Sequence, residues 1–66
     1  MFKELDIIKL KKDYKNNKVG DIGVIIAVFD TPNEAYEVEF ADEEGVPIDS
    51  FSVLPEDIEL VKKWKL

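Results

Sequence analysis

The chain has no cysteine, no histidine and no arginine. Without cysteine there is no disulfide and no thiolate metal site, which fits a reducing compartment. Without histidine and cysteine, the usual general base and the strongest nucleophile are missing. Without arginine, the best bidentate reader of phosphate and guanine is missing. Long apolar runs are also lacking: the longest, Gly23 to Phe29, is far too short to span a bilayer. Met1 is soon followed by Glu4 and Asp6, so no signal peptide is visible. These features lead to the expectation of a cytoplasmic protein with no membrane partner and no cofactor.

What is present is a 66-residue chain in which 45% of residues are apolar, too many for a disordered composition. Its length allows a single domain, 1–66. A domain this short buries only about 60% of its unfolded surface.

The formal charge of -6 is unevenly spread. Residues 1–18 carry six lysines against three acids, and Lys62, Lys63 and Lys65 close the chain. Residues 19–61 hold twelve acids and no base. One reading is internal compensation, with basic ends lying beside an acidic middle. The other is a negative face aimed at a cationic partner.

Leu5 to Leu10 reads as a first strand, in either of two phases: Ile8 and Leu10 inward, or Leu5 and Ile7 inward. Lys11 to Lys18 reads as a long polar loop. Gly20 and Gly23 read as turn residues where φ can be positive. The run Gly23 to Phe29 suits a central strand covered on both faces. A turn at Asp30 to Glu34 precedes Ala35 to Phe40, which alternates cleanly. Tyr36, Val38 and Phe40 are expected to face the core, with Glu37 and Glu39 facing water.

An acidic turn, Ala41 to Gly45, leads to a fourth strand, Val46 to Leu54. Its phase breaks between Ile48 and Phe51, so a bulge or bend is expected near Asp49 and Ser50. After Pro55 two readings stay open. Pro55-Glu56-Asp57 opens a helix, or it forms one 3₁₀ turn followed by a strand at Ile58 to Val61. The strand completes a small, five-strand, partly open barrel, and a barrel hides the strand edges that a short chain cannot otherwise cover. The expected core is Ile8, Leu10, Val24, Ile26, Val28, Tyr36, Val38, Phe40, Ile48, Phe51, Val53, Ile58 and Leu60.

The strand order, the long first loop and the late 3₁₀ turn resemble an SH3-like barrel. Lys18 to Val28, followed by Tyr36 to Phe40, is similar to the KOW-type strand pair of ribosomal and transcription-elongation proteins. A wider resemblance covers nearly the whole chain. It rests on Phe2 to Asp6 with Ile8 and Leu10, on Gly20 to Val24, on Tyr36 to Phe40, and on Leu54 to Ile58. On these residues the chain resembles a bacterial family known as domain of unknown function number four-nine-two-six. That resemblance implies an SH3-type barrel. Through family members encoded beside toxin-like genes, it also implies an antitoxin or immunity role. It implies no catalytic residues.

Catalysis is not expected, because Thr31, Ser50 and Ser52 have no evident activating partner. Asp42, Glu43, Glu44 and Asp49 are hard-cation ligand types, but their spacing is not that of a calcium loop, and they read as an acidic hairpin tip. The leading expectation is a protein-binding module whose acidic face docks a basic protein. Its candidates are Glu37, Glu39, Asp42, Glu43 and Glu44, with Trp64 as an apolar anchor or as a cap over the barrel's open end. The alternative is a nucleic-acid or ribosome-associated domain. It would use Lys11, Lys12, Lys15 and Lys18 beside the C-terminal lysines, with Tyr14 and Trp64 as stacking surfaces.

Overall fold

The computed structural model describes residues 2–63. β1 (Ile7–Leu10) is followed by β2 (Ile22–Phe29), β3 (Ala35–Ala41) and β4 (Pro47–Val53). A 3₁₀ turn at Pro55–Asp57 then leads into β5 (Ile58–Lys62). All pairings are antiparallel, and the strands form one sheet in the order β4-β3-β2-β1-β5. No ladder joins β4 to β5 among the described residues, so the barrel stays partly open.

The segment after Pro55 is therefore a strand. Ile58 has φ −132° and ψ 159°, and it pairs with Leu10. The strand gives β1 its second neighbour. A helix there would have left the backbone groups on that edge of β1 without partners.

Each strand contributes to one core. Ile8 and Leu10 come from β1, Ile25 from β2, and Tyr36, Val38 and Phe40 from β3; Val53 and Ile58 come from β4 and β5. A lone sheet with no second layer can gather side chains from all its strands only by curling around them. The phase of β1 is settled by this core: Ile8 and Leu10 are buried, whereas Leu5, at φ 73°, lies exposed before the strand begins.

Gly23 makes the curl possible. It is a strand residue opposite Phe40, not a turn residue, and its φ is not in the left-handed region. A Cβ there would fall 2.5 Å from Val38 Cγ1 and 2.9 Å from Phe40 Cε1. The hydrogen in place of a side chain lets β3 fold its large residues across β2. Gly20, with φ +94°, is a turn residue as expected.

The core differs from the expected one on β2, β4 and β5. On β2, Ile25 is fully buried, whereas Ile26 is 41% exposed. The ladder runs Gly23–Phe40, Ile25–Val38 and then Ala27–Glu37, so Ile26 is the extra residue of a bulge. Gly23 and Ile25 take the inner face; Val24 is only half-buried, and Val28, beyond the bulge, stays partly exposed. The strand is thus covered on one face. On β4 the expected bulge is present, but it lies at Ile48: Phe40 faces Asp49 and Ala41 faces Pro47. The bulge turns Ile48 outward, 61% exposed, while Phe51 packs against the core and Val53 enters it. Leu60 lies on the open edge strand and is also exposed.

The lysine-rich loop is more ordered than its composition implies. Tyr14 and Asn17 exchange backbone hydrogen bonds of 2.8 and 2.6 Å. The Asn17 side chain is buried and donates to Asp21 Oδ2 at 3.2 Å.

Candidate functional site

Alternation along β3 decides where its carboxylates go. Tyr36, Val38 and Phe40 enter the core, so Glu37 and Glu39 stand on the outer face. Their cross-strand neighbours are uncharged. Glu37 lies between Ala27 and Ser52, and Glu39 between Val24 and Ser50. Ser52 Oγ donates to Glu37 Oε1 at 3.0 Å. Ile7 flanks Val24 on β1 and extends the apolar margin of the pair. Among the described residues, two lysines stand on this side of the sheet. Lys9 is on β1 with β2 between it and β3, and already faces Glu59 at 4.0 Å; Lys62 pairs with Ile7 from β5, with β1 and β2 between it and β3.

The β3–β4 hairpin continues the acidic strand past Ala41. Asp42 turns its carboxylate back on its own loop, where Oδ1 accepts from the backbone N–H groups of Glu44 (2.9 Å) and Val46 (3.0 Å). Asp42 is therefore a turn-forming residue as well as a charge. Glu43 and Glu44 are exposed. Among the described residues, Glu37, Glu39, Glu43 and Glu44 form no ion pair. The structure thus brings Glu37, Glu39, Asp42, Glu43 and Glu44 onto one strand and its hairpin. Trp64 lies outside the described residues.

The lysine-rich loop is arranged differently. The Tyr14 ring stacks on Phe51 with centroids 5.3 Å apart, and Phe51 stacks on Phe40 at 5.0 Å. The Tyr14 hydroxyl donates to Asp57 Oδ2 at 2.5 Å. Lys12 Nζ lies 3.6 Å from the same oxygen and 5.4 Å from the Tyr14 ring centroid. Burial raises the Tyr14 phenol above its ordinary value, and the hydrogen bond to Asp57 raises it further. Tyr14 and Lys12 thus serve the fold, while Lys11, Lys15 and Lys18 are exposed.

Sequence reasoning missed Asp57 and Asp6. Asp57 is buried in the 3₁₀ turn, under Tyr14 and Lys12. Asp6 is buried, accepts from Lys3 N at 3.0 Å, and lies 3.4 Å from Lys63 Nζ. No local spacing could have announced either pairing, because the Tyr14–Asp57 and Lys63–Asp6 partners come from opposite ends of the chain. Tyr36 is a further internal tie: its hydroxyl donates to Glu34 and accepts from Phe2 N at 3.2 Å.

Among the described residues, no group of three or more His, Cys, Asp or Glu side chains is arranged to hold a metal ion. No helix among them is long and apolar enough to cross a membrane. No curated protein and no solved structure matches the chain. Residues 4–60 match the family described as Domain of unknown function (DUF4926), and the chain belongs to that family.

Proposed function

We propose that this chain is a non-enzymatic protein-binding module, of the antitoxin or immunity kind, whose acidic outer face docks a protein with a basic surface. The observation that carries this reading is the position of Glu37 and Glu39. They stand side by side on β3, flanked by apolar and hydroxyl groups, and have no cation across the strand on either side. Half-exposed carboxylates that have no internal cation gain most from an incoming one. Glu43 and Glu44 extend the field along the hairpin. Such a field speeds encounter with a basic partner and makes the encounter salt-sensitive. The lack of cysteine fits a cytoplasmic setting.

The nucleic-acid alternative has less support. Tyr14, its proposed stacking surface, spends one ring face on Phe51 and its hydroxyl on Asp57.

The test is capture from the host at low and moderate salt, comparing wild type with the Glu37→Lys/Glu39→Lys pair and with Lys11→Ala/Lys12→Ala/Lys15→Ala. The expected result is a basic protein held by wild type and by the lysine variant, released by salt, and lost from the glutamate variant. RNA or ribosomal particles recovered by wild type and lost from the lysine variant would overturn the proposal. So would a partner indifferent to Glu37 and Glu39.

A further inference from the structure

At the end of the sheet where β2 begins, β3 ends and β4 begins, the surface opens into a groove of about 510 Å³, floored partly by Phe40 and Ala41. That volume lies within the range of ligand clefts, about 300–1,000 Å³. Two large aliphatic side chains are left uncovered on its walls. Ile22 precedes the point where β2 enters the core, and the β4 bulge turns Ile48 outward. Scattered exposed aliphatics need no explanation, but two that line one groove make an apolar slot.

The rim is anionic. Asp21, Asp42 and Glu43 line the groove, and no lysine does. Two of the three carboxylates are held in place. Asp21 Oδ2 accepts from Asn17 Nδ2 and from Lys18 N at 3.0 Å, and Asp42 Oδ1 accepts from its own hairpin. Asp21 Oδ1 and Asp42 Oδ2 make no hydrogen bond among the described residues.

We infer that this groove receives a lysine or arginine side chain from the basic protein partner. The aliphatic stem would lie along Ile22 and Ile48, and the cation would sit between Asp21, Asp42 and Glu43. Long cationic side chains carry the apolar stem and charged head that such a slot requires. A neutral apolar occupant would strip water from the carboxylates with nothing in return, and an anion would be repelled. The inference rests on the acidic docking reading and gives it a specific anchor point away from Glu37 and Glu39.

The test is a backbone-amide NMR titration of the full chain with a blocked pentapeptide carrying one arginine among alanines. The same peptide with citrulline in place of arginine serves as the neutral control. The arginine peptide is expected to shift Ile22, Glu43 and Ile48, and the citrulline peptide to bind at least about tenfold more weakly. Ile48→Ser and Glu43→Gln should each weaken the arginine peptide severalfold. Both side chains are exposed, so the rest of the spectrum should keep its native dispersion. Glu37→Lys/Glu39→Lys should leave peptide binding at the groove in place. Absence of shifts at millimolar peptide would overturn the inference, as would equal binding of the citrulline peptide or shifts confined to the β3 face. In partner capture, loss with Glu37→Lys/Glu39→Lys but not with Ile48→Ser would remove the groove and leave the face reading standing. The reverse pattern would remove the face reading and leave the groove.

Discussion

The Tyr14 hydroxyl donates to the buried carboxylate of Asp57 at 2.5 Å, across forty-three positions of sequence. This bond fastens the lysine-rich loop to the 3₁₀ turn that precedes β5, and so joins the two strands flanking β1 from outside the sheet. Tyr14→Phe removes the donor but keeps the ring on Phe51. It should cost about 1–3 kcal/mol, the range for leaving a buried acceptor short of a partner. Tyr14→Ala should cost more, because the stack is lost as well. Urea denaturation of the three proteins would measure both steps, and a Phe variant as stable as wild type would show that the bond contributes nothing.

Ionisation of the tyrosines should destabilise the fold. Tyr14 and Tyr36 are the chain's two tyrosines, and burial raises both phenols, followed by the hydrogen bonds to Asp57 and Glu34. A raised folded value means that the contribution to stability is complete below the unfolded value of about 10 and is lost as pH climbs through the folded value. Titration followed by tyrosinate absorbance should therefore show no ionisation at the ordinary value in native protein. The same protein in denaturant should ionise there. A native transition coincident with the denatured one would contradict the upward shift of both phenols.

The β2 bulge makes adjacent isoleucines unequal. Ile25→Ala opens a cavity in the core and should cost about 2–5 kcal/mol. Ile26→Ala removes a side chain already in contact with water and should cost about 0.5–1 kcal/mol. Equal losses, measured by thermal or chemical denaturation, would place the bulge elsewhere.

Gly23 and Gly20 should respond to substitution for different reasons. Gly23→Ala drives a methyl into Val38 and Phe40, close to the Glu39 carbonyl, and should cost about 1–3 kcal/mol by overpacking. Gly23→Val should cost more. Gly20→Ala meets nothing within 4 Å, so its cost is backbone strain alone, about 1–2 kcal/mol at φ +94°. A size series at each site separates the mechanisms, since loss at Gly23 should grow with side-chain volume. A flat response there would show that β3 gives way without cost.

Much of β3 and its hairpin is legible from residue order alone. The period-two alternation of Tyr36 to Phe40 specifies both the core face and the outward placement of Glu37 and Glu39. The parity conflict between Ile48 and Phe51 announces a bulge in β4, one residue later than its true position. The DEEG sequence reads correctly as a hairpin tip, and Gly20 as a turn. The run from Gly23 to Phe29 misleads because every residue in it is small or apolar. No polar residue marks the outer face, so periodicity has nothing to report.

The all-β class, the turns at Gly20 and at the acidic hairpin, the alternation of β3 and the acidic stretch from residue 19 to 61 that carries the candidate site are all written in the amino-acid order. They follow from local chemistry: β-branched residues, glycine, proline and charge act over a few positions. Strand pairing, in contrast, settles which isoleucine of β2 is buried and turns Ile48 outward beside Asp21 and Asp42. It also places residues 58–62 against β1 and brings Tyr14 to Asp57. An extra residue in a strand reverses every later side chain, and the slip is defined by the partner strand rather than by the chain that contains it. Contacts between distant segments likewise exist only once the sheet has curled and brought them together.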